Sequence, residues 1–250
     1  MSWILDNLPL IADRLWAHVA TSLPAIVLAL LISLPLGWLA HRYRPLNGPV
    51  LTGAGLMYAL PSLPLFIVLP VLIGTGVRDA VNVVVALTLY GVALMVRSVA
   101  DGLDGIPPEA RSAATALGYR PLRRFLAVDL PLAGPVILSG LRVVAVSTVS
   151  LCTVGAVLGI PSLGMLFTDG FQRGILAQIL TGIVLTVALA LALDRLLVLA
   201  GRLLMPWART PSRRASRRSS RPDPAASAAS ADRADQTDQT DQTDRAVTPS

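Results

Sequence analysis

Apolar residues in this chain are grouped into long runs that polar segments separate. A helix needs about 20 mostly apolar residues to cross a bilayer, because each residue rises about 1.5 Å and the hydrocarbon core is about 30 Å thick. The pattern predicts five such spans, over residues 19–40, 51–73, 80–96, 134–158 and 174–193. The predicted fold class is therefore an all-α membrane protein.

The composition of the chain supports a bilayer as its solvent. Hydrophobic residues make up 54% of the 250 residues, and charged residues only 14%. An average soluble domain carries about 25% charged residues. All 21 basic residues are arginines, whose guanidinium groups stay protonated and suit interfaces and ion pairs. The composition thus excludes an ordinary soluble domain.

The arginines are distributed unequally between the two sides of the predicted spans. One side carries Arg42, Arg44, Arg97, Arg111, Arg120, Arg123, Arg124, Arg195 and Arg202, and the other carries Arg14, Arg78 and Arg173. Cytoplasmic loops of membrane proteins are enriched in basic residues. The distribution therefore predicts an N-terminus outside the cell and a C-terminus in the cytoplasm.

The two ends of the chain differ from the spans. Residues 1–18 combine tryptophans with polar groups, and this mixture predicts an external segment along the membrane interface. Residues 19–205 form the predicted transmembrane domain. Residues 206–250 contain an arginine-rich run and a DQT repeat, and such a composition predicts a disordered cytoplasmic tail. The tail is either a regulatory or membrane-tethering element, or a solvated extension that helps to fix the topology.

The loop of residues 97–131 has the pattern of two short helices. Pro108 suits the first turn of a helix, and Gly118 suits a left-handed stop. A second helix start follows at Pro121. Apolar residues recur at helical spacing in both parts, and this pattern predicts two short amphipathic helices in an elbow. The elbow either lies on the lipid interface or docks into a cytoplasmic partner.

The spacing within this elbow resembles the coupling loop of bacterial ABC importer permeases. The family pattern is E-A-A, three residues, G, nine residues and I-x-L-P. Ala113, Ala114 and Gly118 match its first half, and Val128, Leu130 and Pro131 match the second. Ser112 stands where the family usually has Glu, and Glu109 lies one helical turn earlier. The resemblance implies an ATPase-coupling site of Glu109, Ser112, Ala113, Ala114, Gly118, Val128, Leu130 and Pro131.

Further segments are similar to the permeases that import quaternary ammonium osmoprotectants. They are HVATSLPAIVLALLISLPLGWLAHR, ALPSLPLFIVLPVLIGTG and SGLRVVAVSTVSLCTVGAVLGIPSLGMLF. The resemblance implies a type I importer fold in a bacterial cytoplasmic membrane, without a cofactor, a metal or nucleic acid. It also implies a cytoplasmic ABC ATPase dimer, an extracytoplasmic solute-binding protein and a second permease chain, identical or related, as partners.

Polar residues inside the spans are candidates for the lining of a solute pathway. They are Tyr58, Ser62, Asn82, Tyr90, Ser147, Thr148, Ser150 and Thr153. Tyr58 and Tyr90 could offer aromatic faces to a methylammonium cation. The alternative is a purely structural role, because Ser and Thr in membrane helices commonly bond to their own helix or to a neighbour.

Two other functions remain open at this stage. The first is an ABC permease for a different small solute, such as an amino acid, a sulfonate or a phosphonate. The second is an intramembrane enzyme, for which the candidate residues are His18, His41 and Asp194. The sequence does not favour the enzyme, because the two histidines flank the first span and Asp194 is expected to pair with Arg195 or a neighbour. Arg142, in the fourth span, is expected to extend its side chain to the cytoplasmic interface.

Overall fold

The computed structural model describes residues 2–209, and this part of the chain contains helices and no strand. The predicted tail from residue 210 onward lies outside the described residues. The α-helices are α1 (Ser2–Asp6), α2 (Leu8–Arg42), α3 (Arg44–Ala59), α4 (Ser62–Ile73), α5 (Ala80–Asp104), α6 (Pro108–Ala116), α7 (Pro121–Arg124), α8 (Leu130–Cys152), α9 (Gly164–Arg173) and α10 (Leu176–Leu204). A π-helical turn, Phe125–Asp129, joins α7 to α8, and 3₁₀ turns cover Thr153–Leu158 and Pro206–Arg209.

Helix α5 lies at the centre of the molecule, between α2 and α8. One core cluster joins these three helices through Ala29, Met95, Val99 and Val144, all at most 1% exposed. A second cluster joins α5 to α4 and to the turn after α8, around Phe66 and Leu87. More than half of the most apolar stretch of α5 is buried in this way. Helix α5 therefore positions α2 and α8 through the first cluster, and α4 and the turn after α8 through the second.

Two glycines allow α2 and α5 to pack closely. A β-carbon at Gly37 would lie 2.5 Å from the Val99 side chain, and one at Gly91 would lie 2.6 Å from the β-carbon of Ala29. Real β-carbons essentially never approach other atoms so closely. The contact between the two helices therefore requires glycine at both positions.

The helices differ in length from the predicted spans. Helix α2 is continuous over 35 residues, so residues 8–18 belong to the same helix as the predicted first span. Helix α5 continues past the predicted end of the third span to Asp104. Within residues 2–209, four helical segments are long and apolar enough to cross a membrane, and α3 with α4 makes a fifth candidate if the bent pair is one span.

The predicted second span, residues 51–73, is not one straight helix. Helices α3 and α4 meet at an angle of 104°. Leu60 and Pro61, between them, have extended ψ angles of 134°. Proline donates no backbone hydrogen bond and moves the preceding residue away from the helical region. The break at Leu60–Pro61 follows from both effects.

Candidate functional site

Two short helices, α6 and α7, follow the C-terminal end of α5 and are joined by a tight turn. Helix α6 ends near Leu117, and Gly118 has a φ of 82°, the left-handed conformation that the sequence predicts for it. Its N–H donates to the Thr115 carbonyl at 3.0 Å. Helix α7 then begins at Pro121, and the chain continues through the π-helical turn into α8.

The predicted coupling residues divide between the surface and the interior of this region. Glu109, Ser112, Ala113 and Gly118 are exposed, Ala114 is buried, and Val128, Leu130 and Pro131 are half-buried. Leu117 is 78% exposed beside the small residues of α6. The outer face of α6 thus consists mainly of small side chains and one large apolar one.

The helical spacing predicts that the apolar residues of α7 and the following turn share one face. In the structure they do not. Phe125 is 7% exposed and packs its ring 5.8 Å from that of Trp38. Leu130 also packs against the core. Leu122 and Leu126, by contrast, are 64% and 57% exposed. Phe125 and Leu130 therefore face the core, whereas Leu122 and Leu126 face away from it.

A buried carboxylate connects the helices of this region. Asp129 is 4% exposed, and its oxygens lie 3.4 Å from Arg124 Nε and 3.8 Å from Arg111 Nε. Arg111 also donates to the carbonyl of Leu103, in the last turn of α5. Arg124 donates to the Thr115 hydroxyl at 3.1 Å. The Asp129 cluster, defined as Asp129, Arg111 and Arg124, therefore ties α5, α6 and α7 together.

Sequence reasoning missed the Asp129 cluster. Asp129 occupies the unspecified position of the I-x-L-P pattern, so the resemblance assigns it no role. A signal was nevertheless present, because a lone acid between Val128 and Leu130 is rarely buried without a cationic partner. The partners that the structure shows, Arg124 and Arg111, lie 5 and 18 positions earlier in the chain.

A cavity of about 460 Å³ lies near the middle of α5. Its lining combines the break between α3 and α4 with one face of α8. Of the predicted pathway residues, the structure brings together Tyr58, Ser62, Tyr90, Ser147 and Ser150 at this cavity, with Leu60, Val146 and Leu151 as apolar neighbours. The lining contains no charged side chain.

The two tyrosines of the cavity have different environments. Their rings pack edge to face, with centroids 6.2 Å apart and an interplanar angle of 83°. Tyr90 is 4% exposed, and its hydroxyl donates at 2.6 Å to the Leu60 carbonyl at the helix break. Tyr58 is 49% exposed. Tyr90 thus supports the wall, and Tyr58 presents the accessible aromatic face.

The other predicted pathway residues lie apart from this cavity. Asn82 is buried, where its amide donates to the Gly76 carbonyl at 2.7 Å and accepts from the Thr75 hydroxyl at 2.5 Å. Thr148 is buried within α8. Thr153 donates to the Ser150 carbonyl at 2.7 Å. Asn82 and Thr153 therefore make the local contacts that a structural role predicts.

Arg142 and Asp194 form a bidentate ion pair between α8 and α10. Arg142 Nε lies 2.6 Å from one carboxylate oxygen, and Nη2 lies 2.9 Å from the other. The bidentate partner of Asp194 is thus Arg142 of α8 rather than Arg195, the residue next to it in the sequence. The partners are 52 positions apart, and only the packing of α10 on α8 brings them together.

The histidines considered for an enzyme site hold helices together. His18 is fully buried; Leu163 N donates to its Nδ1 at 3.3 Å, and its Nε2 lies 3.1 Å from the Val149 carbonyl. His41, at the other end of α2, pairs with Asp104. Neither ring contacts Asp194, so the three residues form no common site.

We expect His18→Leu to lower the free energy of unfolding. Leucine has a similar volume but leaves the Leu163 N–H without its buried acceptor, at a cost of about 1–3 kcal/mol. The measurement is thermal unfolding of the purified protein in detergent.

Ser22→Ala is the matched control, one turn along the same helix. The Ser22 hydroxyl is buried and has no hydrogen-bond partner within the described part of the chain. Its removal should leave stability unchanged or slightly raised, because no hydrogen bond is lost. An equal loss in both variants would contradict a specific role for the His18 contacts.

Comparison with known proteins identifies relatives along most of the chain. Residues 33–209 match the family model described as "Binding-protein-dependent transport system inner membrane component". The osmoprotectant import permease protein OsmW of Salmonella typhimurium is 33% identical over 78% of this chain and 92% of its own length. The choline transport system permease protein OpuBB of Bacillus subtilis is 28% identical over 77% of this chain and 88% of its own.

Solved structures share the fold. A chain of the MetNI methionine ABC transporter, in an inward-facing conformation, matches with a TM-score of 0.69 and 23% identity, over 82% of this chain and 99% of its own. A chain of an amino acid ABC transporter matches with a TM-score of 0.62 and 16% identity, over 82% and 96%. At these identities the likeness concerns the fold alone.

Proposed function

The chain belongs to the family of binding-protein-dependent transport system inner membrane components, and from this premise we propose that it is the permease subunit of an ATP-driven importer for a quaternary ammonium osmoprotectant. Glycine betaine, choline and carnitine are the candidate solutes. The observation that carries the solute class is the similarity to OsmW along 78% of the chain. The transport role carries no bond chemistry, since ATP hydrolysis belongs to a separate chain.

The elbow formed by α6 and α7 is the proposed contact with a cytoplasmic ABC ATPase dimer. The exposed small residues of α6, including Ser112 and Ala113, would let the helix approach a groove closely. Leu117 adds an exposed apolar anchor. The Asp129 cluster would transmit a push on this surface to α5 and α8, because its side chains connect these helices.

The central cavity is the proposed pathway lining. Quaternary ammonium ions are attracted to aromatic faces, and the half-exposed Tyr58 ring offers such a face. The lining carries no fixed positive charge that would repel the cation. Ser62, Ser147 and Ser150 would supply weak polar contacts that permit release.

The proposed complex contains a second permease chain, identical or related, and an extracytoplasmic solute-binding protein. The most apolar stretch of α10 is not buried within this chain, so that α10 is available to lipid or a neighbouring chain. The elbow would lie in the cytoplasm, with residues 1–18 and the turn before α5 on the outer side. Residues 206–250 would form the cytoplasmic tail.

The test of the proposed function is uptake of radiolabelled glycine betaine by cells that lack their own osmoprotectant importers. The cells express this permease with its ATPase and binding protein, and choline and carnitine serve as competitors. We expect uptake that depends on the permease and that at least one competitor reduces. An assembled complex that takes up none of the three solutes would refute the proposed solute class.

Gly118→Ala tests the elbow within the same assay. Alanine at a φ of 82° costs about 1–2 kcal/mol, which lowers the ratio of native to non-native elbow about 5- to 30-fold. We therefore expect ATPase copurification and uptake to fall measurably relative to wild type. No atom within 4 Å would clash with the added methyl group, so the effect would report the backbone alone.

Gly174→Ala is the control, because Gly174 also has a positive φ, 68°, and open space around it. Gly174 lies between α9 and α10. The other end of α10 is the end near the elbow, because Met205, directly after α10, contacts Gly134. The same backbone strain at Gly174 should leave ATPase copurification unchanged. Equal losses in the two variants would argue against the elbow as the ATPase contact.

A further inference from the structure

A second cavity, of about 550 Å³, lies at the opposite end of α5 from the elbow. Its size falls within the range of about 300–1,000 Å³ that is typical of small-molecule sites. The turn before α5, the 3₁₀ turn Thr153–Leu158 with Gly159, and α9 form its walls. The residues that line it include Arg78, Gly159, Met165, Thr168, Asp169 and Gln172.

The cavity brings together one positive and one negative side chain that do not neutralise each other. Arg78 comes from the turn before α5, and Asp169 comes from α9. Within residues 2–209, neither side chain has an ion-pair partner within 4.0 Å. Gln172 lies one helical turn after Asp169 and adds an amide to the same wall. Both charges are therefore available to a ligand.

The turn that carries Arg78 is held in place by its neighbours. The Asp79 carboxylate accepts a hydrogen bond from Val81 N at 3.0 Å and caps α5. Asn82 holds the preceding residues through its contacts with Thr75 and Gly76. Arg78 Nε lies 3.5 Å from the position that a β-carbon at Gly159 would occupy, so the guanidinium rests against this glycine. A site arranged in advance loses less entropy on binding.

The second cavity and the central cavity are lined by neighbouring parts of the same two segments. One segment is α5 with the turn before it, and the other is α8 with the turn after it. Leu151 lines the central cavity, and Ala156, five positions later, lines the second. Tyr90 is ten residues into α5, about 15 Å along its axis from Ala80. The central cavity carries no charged side chain, whereas the second carries both signs.

We propose that the second cavity is an outer binding site for zwitterionic solutes, in which Arg78 binds a carboxylate and Asp169 binds the ammonium group. This inference rests on the proposed function and narrows its substrate class. Arginine forms charge-assisted hydrogen bonds with carboxylates, and a carboxylate side chain attracts a quaternary cation by charge alone. Glycine betaine and carnitine carry both groups, whereas choline carries only the cation. The site therefore favours the zwitterions over choline.

The experiment measures solute binding to the permease–ATPase complex in nanodiscs without the solute-binding protein. Saturation-transfer difference NMR of the trimethylammonium protons gives the Kd of glycine betaine and of choline. We expect Arg78→Gln to raise the Kd of glycine betaine by at least about tenfold and that of choline by less than about twofold. Arg173→Gln, an exposed arginine at the end of α9 outside the cavity lining, is the matched control and should change neither Kd.

Uptake by the same complexes, with the binding protein added, separates the possible failures. Wild-type uptake without measurable solute binding, or equal effects of Arg78→Gln and Arg173→Gln, would overturn the outer site and leave the proposed function intact. An unchanged Kd with lower uptake of both solutes in Arg78→Gln would identify a docking contact for the binding protein and also overturn it. If wild type takes up none of glycine betaine, choline and carnitine, the proposed function fails, and the outer site fails with it.

Discussion

Asp129→Ala is expected to abolish uptake and to reduce copurification of the ATPase to near background. The substitution leaves Arg111 and Arg124 facing each other without the carboxylate that lies between them. Removal of one partner of a buried ion pair costs about 3–5 kcal/mol, and the partial exposure of both arginines places this case near about 3 kcal/mol. The carboxylate that joins Arg111 of α6 to Arg124 of α7 would then be lost, and of the cluster's contacts only the hydrogen bonds from Arg111 to Leu103 and from Arg124 to Thr115 would remain. The measurements are membrane level, ATPase copurification and uptake.

Asp101→Ala provides the control for this prediction. Asp101 is an exposed acid in the last turn of α5, and its side chain has no ion-pair partner within the described residues. Its replacement should change stability by no more than about 0.5 kcal/mol. Normal uptake by Asp129→Ala at normal membrane level would show that the Asp129 cluster does not position the elbow.

Asp194→Arg is expected to lower the amount of folded permease in the membrane roughly fivefold or more. The new arginine would face Arg142 across the contact between α8 and α10, where the native carboxylate accepts two hydrogen bonds at 2.6 and 2.9 Å. Like charges at this distance repel, and neither α8 nor α10 contains another acid that could pair with them. The measurement is the membrane level of the tagged protein, together with glycine betaine uptake.

The double variant Arg142→Asp with Asp194→Arg restores opposite charges at the same two positions. We expect it to recover a substantial part of the membrane level and uptake, because the pair can form again with its direction reversed. If the double variant is as defective as Asp194→Arg, the individual positions matter more than their pairing. Normal accumulation of Asp194→Arg would show that the ion pair does not hold α8 and α10 together.

Features that depend on neighbouring residues could be predicted from the sequence. Long apolar runs indicated the candidate spans because bilayer thickness fixes the required length. Gly118 was predicted to be left-handed because glycine follows a short helix there, and its φ of 82° agrees. The tyrosines and serines of the central cavity were candidates because polar side chains are uncommon in apolar helices.

Features that depend on packing between distant segments could not be predicted in the same way. Helix α2 continues through Pro24 and Pro35, whereas the chain breaks at Pro61, so the presence of proline alone does not identify the bend. The pairing of Arg142 with Asp194 requires that α8 and α10 be neighbours. Spacing along the chain carries no such information, and for this reason the ion pair and the second cavity could not be predicted.

The break at Leu60–Pro61 gives the two halves of the molecule different stiffness. Helix α5 is an unbroken rod of 25 residues, about 37 Å long, and acts as a strut between its two ends. Helices α3 and α4 meet instead at a joint of 104°. A displacement at the elbow can therefore move α5 as a unit. The angle between α3 and α4 can change without stretching a helical hydrogen bond. Tyr58 and Ser62 lie on the two sides of this joint, so a change in the angle would open or close the central cavity.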